Sequence, residues 1–418
     1  MAIFVIADDL TGANDTIVQF AKRGMKSMMI FKLSANLFDL KYQALAFQTG
    51  TRGLSEKDAY QINRLLVRNL KIKQTDLVYK KIDSAIRGNI GIEITAFLDE
   101  LPHLKAALVA PAFPDNERIT CNGYQLINGI PVHESEIAAD PVAPVRNSYL
   151  PTLLESQSHL KTGLIALDEI TAGVKSIRRR LQKLLDQNCK IIIADATTNS
   201  HLNCLAEVIV RETGILPCGS AGLAEAFAKL KGSVCLQKQI DDEKNSPERT
   251  GINMAIVGSK SPTSAVQVAE VKKVLPEILT VMVHPDSFSD KSSAETDIEQ
   301  AVRKISSRRD GNQAVLLYVF QENTGSATTD ASKIVAGLGE IGRRTFNKIP
   351  IRRLFVTGGD TVSSLFDKLG VKALEIQKEL EHGICQGKVI DGLVDGLEVI
   401  TKAGSFGDSG TLIRFFKG

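Results

Sequence analysis

The sequence predicts an α/β protein made of two α/β domains with mostly parallel sheets. Three observations lead there. Short β-rich runs alternate with longer amphipathic stretches from the first residues onward, most of those runs are continuously apolar, and one polar, aperiodic segment interrupts the alternation. Continuous apolar strands separated by helices are what a parallel sheet covered on both faces requires. A chain of 418 residues is also too long for one ordinary core and comfortable for two.

In chain order, residues 2–7, 26–31, 43–48, 76–82 and 106–110 read as strands, with crossover helices expected over 12–24 and 55–70. The pattern continues at 190–194 and 215–218. Residues 236–251 then run polar and without period, from Leu236 through Asp241-Asp242-Glu243-Lys244 to Gly251, which is the composition of a linker. Alternation resumes beyond it, with strands at 252–257, 278–283, 314–319 and 353–357. Helices are expected at 262–274, 293–307, 329–347 and 362–369. The expected division is therefore an N-terminal domain over 1–235, a linker over 236–251 and a C-terminal domain over 252–418, with an active-site cleft between the two domains.

Composition excludes several classes. Lys plus Arg exceed Asp plus Glu by only 51 − 48 = 3, which argues against a nucleic-acid binder but not against a small anionic ligand. The six cysteines are scattered without a C-x-x-C pair, so free thiols in a reducing compartment are expected rather than disulfides or zinc. The apolar start Ala2–Ala7 lacks a basic flank and ends in Asp8-Asp9, as a buried first strand would and a signal peptide would not. No run approaches the ~18 apolar residues of a membrane span. A cytoplasmic protein is expected.

In open α/β sheets ligands bind at the carboxyl ends of the strands, so the residues just after each strand carry the information. The first strand runs into Asp8-Asp9-Leu10-Thr11-Gly12. Adjacent carboxylates repel unless a cation, a ligand hydroxyl or a base partner uses them, and one placed there can take a hydroxyl proton. The competing reading is helix capping by Asp9 or Thr11. The next strand ends bring Arg52 and then Lys80-Lys81-Ile82-Asp83-Ser84. An Arg fork suits a carboxylate and a Lys offers a point charge. Three such ends on one sheet edge describe a pocket for a small polyhydroxy anion. The loop Ala110–Arg118 follows at the same edge, where Arg118 either reaches the ligand or pairs with Asp115; the structural pairing is the expectation.

The C-terminal half carries glycines where phosphates would sit: Gly258-Ser259-Lys260-Ser261, Gly358-Gly359-Asp360-Thr361, and Gly404-Ser405-Phe406-Gly407-Asp408. Glycine lets a backbone approach a phosphate, and a helix N-terminus offers amides and positive dipole. Three such loops point to a nucleotide. No G-x-x-x-x-G-K-[ST] is present, so this is no P-loop protein. Gly337-Leu-Gly339-Glu-Ile-Gly342 matches G-x-G-x-x-G but falls within an expected helix, far from its strand, and is read as helix packing.

The strings I-A-D-D-L-T-G-A-N-D at 6–15, K-I-D-S-A-I-R-G-N at 81–89, A-P-A-F-P at 110–114, G-S-A-G-L at 219–223, T-G-G-D-T at 357–361 and G-S-F-G-D at 404–408 resemble the four-carbon acid sugar kinase family over nearly the whole chain. The resemblance implies that the N-terminal domain holds the acid sugar and the C-terminal domain holds ATP with Mg²⁺. By motif, Asp9, Arg52, Lys81, Ile82, Asp83 and Ser84 would contact the substrate. Ser259, Gly358, Gly359, Asp360, Thr361, Gly404 and Gly407 would contact the nucleotide. The chain departs from the common pattern at Ala85-Ile86, where Thr-Leu is usual, and at Ser405, where glycine is usual. The Ala13–Thr16 segment is nearer to the D-threonate and D-erythronate kinases than to the 3-oxo-tetronate members.

The implied reaction is transfer of a phosphoryl group from ATP to the 4-hydroxyl of the acid, with the carboxylate held by Arg52 and Lys81. Asp9 is the expected general base and Asp408 the alternative. A metal ligand set is not specified, no nucleic acid or membrane partner is expected, and a homodimer is allowed for. Two other classes compete: a dehydrogenase, for which the chain lacks a strand followed at once by a Rossmann fingerprint, and a non-catalytic acid-sugar and nucleotide sensor, which would bind without releasing ADP.

Overall fold

The computed structural model describes residues 2–32, 42–232, 249–307, 314–319 and 330–418. Contacts divide these into two compact units, the first taking residues 2–27 and 42–232, the second 28–32 and the described part of 249–418.

The elements run β1 (Ile3–Ala7), α1 (Leu10–Ala21), β2 (Ser27–Ile30), β3 (Ala44–Gln48), α2 (Glu56–Leu70), β4 (Leu77–Lys81), α3 (Ile90–Glu100) and β5 (Ala106–Ala110). After β5 come three short strands, β6 (Arg118–Cys121), β7 (Tyr124–Ile127) and β8 (Ile130–Pro131). Then follow α4 (Leu150–Ser158), β9 (Thr162–Ile165), α5 (Leu167–Thr171), α6 (Val174–Asp186), β10 (Ile191–Ala194), α7 (Asn199–Arg211), β11 (Ile215–Gly219) and α8 (Ala221–Gly232). In the first unit the main sheet has the order β3-β1-β4-β11-β5-β10-β9, every pair parallel. Its central strands are mostly apolar on both faces, as the continuous runs predict, with Lys80 and Lys81 of β4 the buried exceptions; all of Ile3–Ala7 and Ala106–Ala110 are buried. β3 lies on one side of β1 and β4 on the other, so the order reverses between β1 and β4.

In the second unit come β12 (Ile252–Val257), α9 (Pro262–Val274), β13 (Leu279–Val283), α10 (Lys291–Ser306), β14 (Ala314–Val319), α11 (Ala331–Phe346), β15 (Ile351–Thr357), α12 (Gly359–Leu369), β16 (Ala373–Glu381), β17 (Ile384–Ile390), β18 (Glu398–Lys402) and α13 (Thr411–Lys417). The order is β13-β14-β12-β15-β18-β17-β16, with β2 beside β16. The first five strands are parallel, and β17 pairs antiparallel with both β18 and β16. The reversal here falls between β12 and β15. One core cluster joins Ala255, Leu316, Phe355 and Ile400 of the sheet to Val268, Val271, Leu412 and Phe415 of α9 and α13.

The expected strands and helices recur within a few residues, and the sheets are mostly parallel as the pattern required. Of the expected linker, 236–248 lies outside the described residues, as does the first residue of the helix expected over 329–347. The glycines of Gly337-x-Gly339-x-x-Gly342 all lie inside α11. A Cβ on Gly337 would stand 2.1 Å from the Phe288 ring, and one on Gly342 2.5 Å from Leu365, so they are packing glycines. The β6–β8 sheet, the antiparallel β16–β17 pair and the parallel strands β9 and β18 were not anticipated. No helix of the described residues is long and apolar enough to cross a membrane.

Candidate active site

In the first unit the strand ends are in register. Ala7 lies beside Gln48 on one side and Lys81 on the other, Lys81 beside Gly219, and Gly219 beside Ala110. Everything immediately beyond these residues therefore emerges along one edge, at the point where the strand order reverses, which is where open α/β sheets bind ligands.

Asp9 is the first group there. It is the N-cap of α1, its Oδ1 accepting from the Gly12 amide at 2.7 Å, while Oδ2 lies 2.8 Å from Arg52 Nη1. Capping and site placement are thus both true of one carboxylate. Burial raises its carboxyl above the ordinary range and Asp8 adds to this, against the opposing pull of Arg52, Lys81 and the Gly12 amide. A raised carboxyl in an open position, 29% of its side chain exposed, suits a general base. The helix position of Gly12 leaves room for the convergence: a Cβ there would stand 2.8 Å from Asp9 Oδ1 and 3.0 Å from Lys81 Nζ.

Arg52 grips both aspartates. Its Nε and Nη2 donate to Asp8 at 2.7 and 3.1 Å, and Nη1 pairs with Asp9. Burial alone would lower its guanidinium, but the two carboxylates outweigh burial and raise it. Beneath this loop lies a buried ion pair, Lys80 Nζ to Glu93 Oε2 at 2.6 Å, with both side chains inaccessible, and the Thr51 hydroxyl donates to the same Glu93. That pair fixes Thr51, and so the backbone from which Arg52 projects.

The Lys81–Ser84 turn supplies the rest. Lys81 Nζ donates to the Ile82 carbonyl at 2.8 Å, and the Ile82 side chain is buried, leaving its backbone to the edge. Asp83 is forked by Arg87 at 2.7 and 3.2 Å. Burial would raise its carboxyl, but Arg87 and Arg52 hold it well below the usual range. The Ser84 hydroxyl accepts from Arg118 Nη1 at 2.7 Å, and its carbonyl accepts from Gln125 Nε2 at 2.7 Å. The expected Arg118–Asp115 pair does not form. Asp115 instead accepts from Asn199 at 2.7 Å, because Arg118 opens strand β6, where its side chain turns to Ser84. Sequence reasoning missed that placement, although Asn122-Gly123 and Asn128-Gly129, all four at positive φ, are the hairpin-turn signal that would have revealed it.

In the second unit three loops leave three adjacent parallel strands, again in register: Val257 beside Thr357, and Thr357 beside Lys402. The glycines are needed for contact between loops. A Cβ on Gly258 would stand 2.1 Å from Thr361 Oγ1, and one on Gly404 2.3 Å from Ser259 Oγ. Gly358, at φ 99°, is the N-cap of α12 and brings no side chain to its first-turn amides, so those of Gly359, Asp360 and Thr361 face an anion-receptive helix start. Ser259 accepts from the Ser261 amide at 3.2 Å, and Ser261 donates to the Gly404 carbonyl at 2.5 Å.

Lys402 ties the last loop. Its buried ammonium donates to the carbonyls of Ala403, Gly404 and Phe406 at 3.0, 2.9 and 3.0 Å. Burial pulls it down to about 8. Gly407, at φ 79°, turns the chain toward Asp408. Asp408 itself is exposed, paired with Arg414 at 2.8 Å and bonded to the Gly410 amide at 2.8 Å. The Arg414 hydrogen bond lowers it, which makes it a weaker base than Asp9.

Comparison with known proteins fits these two edges. Residues 3–227 match the family described as sugar-binding N-terminal domain. The chain belongs to this family. Residues 254–412 match the accompanying nucleotide-binding C-terminal domain. Among curated members, the chain is 28% identical to a D-threonate kinase of Salmonella typhimurium over 99% of this chain and 97% of that one. It is 26% identical to a D-erythronate kinase of Heliobacterium modesticaldum, over 97% and 94%. It is 27% identical to a 3-oxo-tetronate kinase of Pseudomonas savastanoi, over 96% and 94%. A crystal structure from Salmonella typhimurium LT2 shares the fold with a TM-score of 0.82 at 24% identity, covering 99% and 98% of the two chains.

Proposed function

We propose that this protein is an ATP-dependent kinase that phosphorylates the 4-hydroxyl of a four-carbon sugar acid, D-threonate first and D-erythronate next. The observation that carries the reading is the separation of chemistry between two sheet edges. One unit gathers Asp9, Arg52 and the Lys81–Ser84 turn at its strand-order reversal; the other gathers glycine loops and a helix start at its own. The first is made for a hydroxylated anion and the second for phosphates. Family relatives acting on three four-carbon acids support the same assignment.

In this reading residues 1–235 form the acid-sugar domain, 236–251 the linker and 252–418 the nucleotide domain. Asp9 accepts the proton of the 4-hydroxyl as the oxygen attacks the γ-phosphorus, and ADP leaves. Arg52 holds Asp8 and Asp9 in place, and three of its five N–H groups serve that purpose, leaving two for substrate hydroxyls. Lys81, Ile82, Asp83 and Ser84 orient the acid. Ser259, Gly358–Thr361, Gly404 and Gly407 cradle ATP, whose Mg²⁺ arrives with it as part of the donor substrate. Asp408, already engaged by Arg414, is the alternative base. Positioning and charge neutralisation supply most of the rate. The cytoplasm, where ATP is plentiful, is the expected compartment.

The test is ADP release with ATP and Mg²⁺ against D- and L-threonate, D- and L-erythronate and 3-oxo-tetronate. Turnover of one threonate or erythronate isomer supports the assignment, and turnover of the 3-oxo acid alone moves the chain to the other branch of the family. Acid and ATP binding without ADP release points to a sensor. Silence with ATP still bound removes the four-carbon acid.

A further inference from the structure

Three guanidinium groups surround the Lys81–Ser84 turn, and they are not equivalent. Arg52 is neutralised by Asp8 and Asp9, and Arg87 by Asp83 and Asp140, at 2.7 and 3.0 Å. Arg118 forms no ion pair among the described residues. Its Nη1 donates to the neutral Ser84 hydroxyl, and its Nε is buried without an acceptor. The electrostatics agree with the geometry. Burial lowers the Arg118 guanidinium and Arg87 adds to this, and the pull of Asp83 and Asp15 does not outweigh them, whereas the carboxylates beside Arg52 and Arg87 raise both of those. A buried N–H with no acceptor is a cost that folds avoid unless a ligand supplies the missing group.

We infer that Arg118 is the residue that takes the carboxylate of the acid substrate, its free N–H groups reaching the two oxygens while Ser84 steadies the remaining nitrogen. This deepens the function proposed above and rests on it. Availability favours it over Arg52, whose Nε, Nη1 and Nη2 are already committed to Asp8 and Asp9, while Lys81 brings that cluster only to about neutral. The acid is thereby oriented, its hydroxyl end toward Asp9 and its carboxylate toward Arg118.

Arg118 is also held ready. Its backbone exchanges hydrogen bonds with Phe113 at 2.7 and 3.2 Å, and β6 pairs with β7 from Arg118–Ile127 to Cys121–Tyr124. Farther along, Thr120 and Ala196 bond each other through their backbones, and Asp195 accepts from the amides of Asn122 and Gly123 at 2.7 and 2.9 Å. A guanidinium delivered on so braced a hairpin binds without the ordering cost a loop would add.

The experiment compares wild type, Arg118→Met and Arg118→Lys on whichever four-carbon acid the wild type turns over. The second substrate is that acid's neutral counterpart, with CH₂OH in place of the carboxylate. Arg118→Met is expected to raise KM for the acid by roughly 100-fold or more, the scale for removing one partner of a desolvated charge pair. KM for ATP and the rate on the neutral compound should hold, so the preference for the acid collapses. Arg118→Lys restores part of it, keeping the charge without the fork, and stands in if the Met variant does not fold. Retention of the acid preference in both variants overturns the inference, because a residue that only props Ser84 would slow both substrates in proportion. Wild type that turns over no four-carbon acid overturns the function itself, and the inference with it.

Discussion

Replacing Asp9 by Asn separates its two jobs. Asn caps a helix as well as Asp does, so the Gly12 amide keeps an acceptor, and Arg52 keeps both of its bonds to Asp8. Ala removes the cap, worth about 0.5–2 kcal/mol. The charge has its own effect. The Asp9 carboxyl is raised in the fold above its ordinary 3.8, burial being the largest cause. As pH rises past 3.8 the unfolded chain releases this proton before the folded one does, so stability falls until the folded value is passed and stays lower at neutral pH. Asn removes that loss. At pH 7 Asp9→Asn should therefore melt at or above wild type, and Asp9→Ala about 1 kcal/mol below Asp9→Asn. Both variants should lose about 10²–10⁴ in kcat, the usual worth of a general base. ADP release at saturating ATP and acid measures the rate, calorimetry with ATP checks the nucleotide site, and thermal unfolding reads stability. Asp9→Asn with kcat within a few fold of wild type refutes the base assignment. Lost ATP binding in that variant refutes the division of ligands between the two units.

Gly12→Ala should lower kcat/KM for the acid, because the new Cβ meets Asp9 and Lys81, and its gain of about 1 kcal/mol of helix propensity should be offset by disturbance of the Asp9 cap, worth about 0.5–2 kcal/mol; steady-state kinetics with a melting curve tests both. Glu93→Gln should destabilise the protein by about 3–5 kcal/mol by stranding buried Lys80, and denaturant titration of that variant beside a Lys80→Met/Glu93→Leu pair should show the pair far less affected. Lys402, pulled down to about 8 by burial, becomes an amine with two N–H groups facing three carbonyls. KM for ATP should rise as pH passes about 8, and this rise should vanish in Lys402→Met. Between about 8 and the unfolded 10.5 the unfolded chain binds the extra proton, so stability rises with pH across that window, as unfolding at pH 7.5 and 9.5 would show.

What the sequence revealed tracks the kind of signal involved. Parallel strands buried on both faces announce themselves as apolar runs, so β1, β3–β5 and β12–β15 were legible, and with them the strand ends that bear Asp9, Arg52, Lys81 and the first two glycine loops, whereas β18, ahead of the third, was not read as a strand. The β16–β17 pair has neither a continuous apolar run nor a sustained alternation: Gln377-Lys378-Glu379 interrupts β16 and Gln386-Gly387-Lys388 interrupts β17, so neither period stands out. The β6–β8 strands are four residues or fewer, too short for periodicity, and only their Asn-Gly turns mark them. Arg118 was consequently legible as a residue but not as a site. Whether a guanidinium is already neutralised depends on contacts such as Arg52 with Asp8 and Arg87 with Asp140, which no linear spacing encodes.

The in-register strand ends have a practical meaning. Neighbouring strands in a sheet are held about 4.8 Å apart by their hydrogen bonds, so the ladder acts as a ruler whose gradations no loop can change. Gln48, Ala7 and Lys81 mark three successive gradations. Loops grafted beyond them from another member of the family would inherit the same lateral spacing between base, arginine and turn, and would differ only in what they present to the ligand. Exchanging the segment after β5, hairpin included, is therefore a direct route to altering which acid is accepted while the groups that move the proton stay where they are.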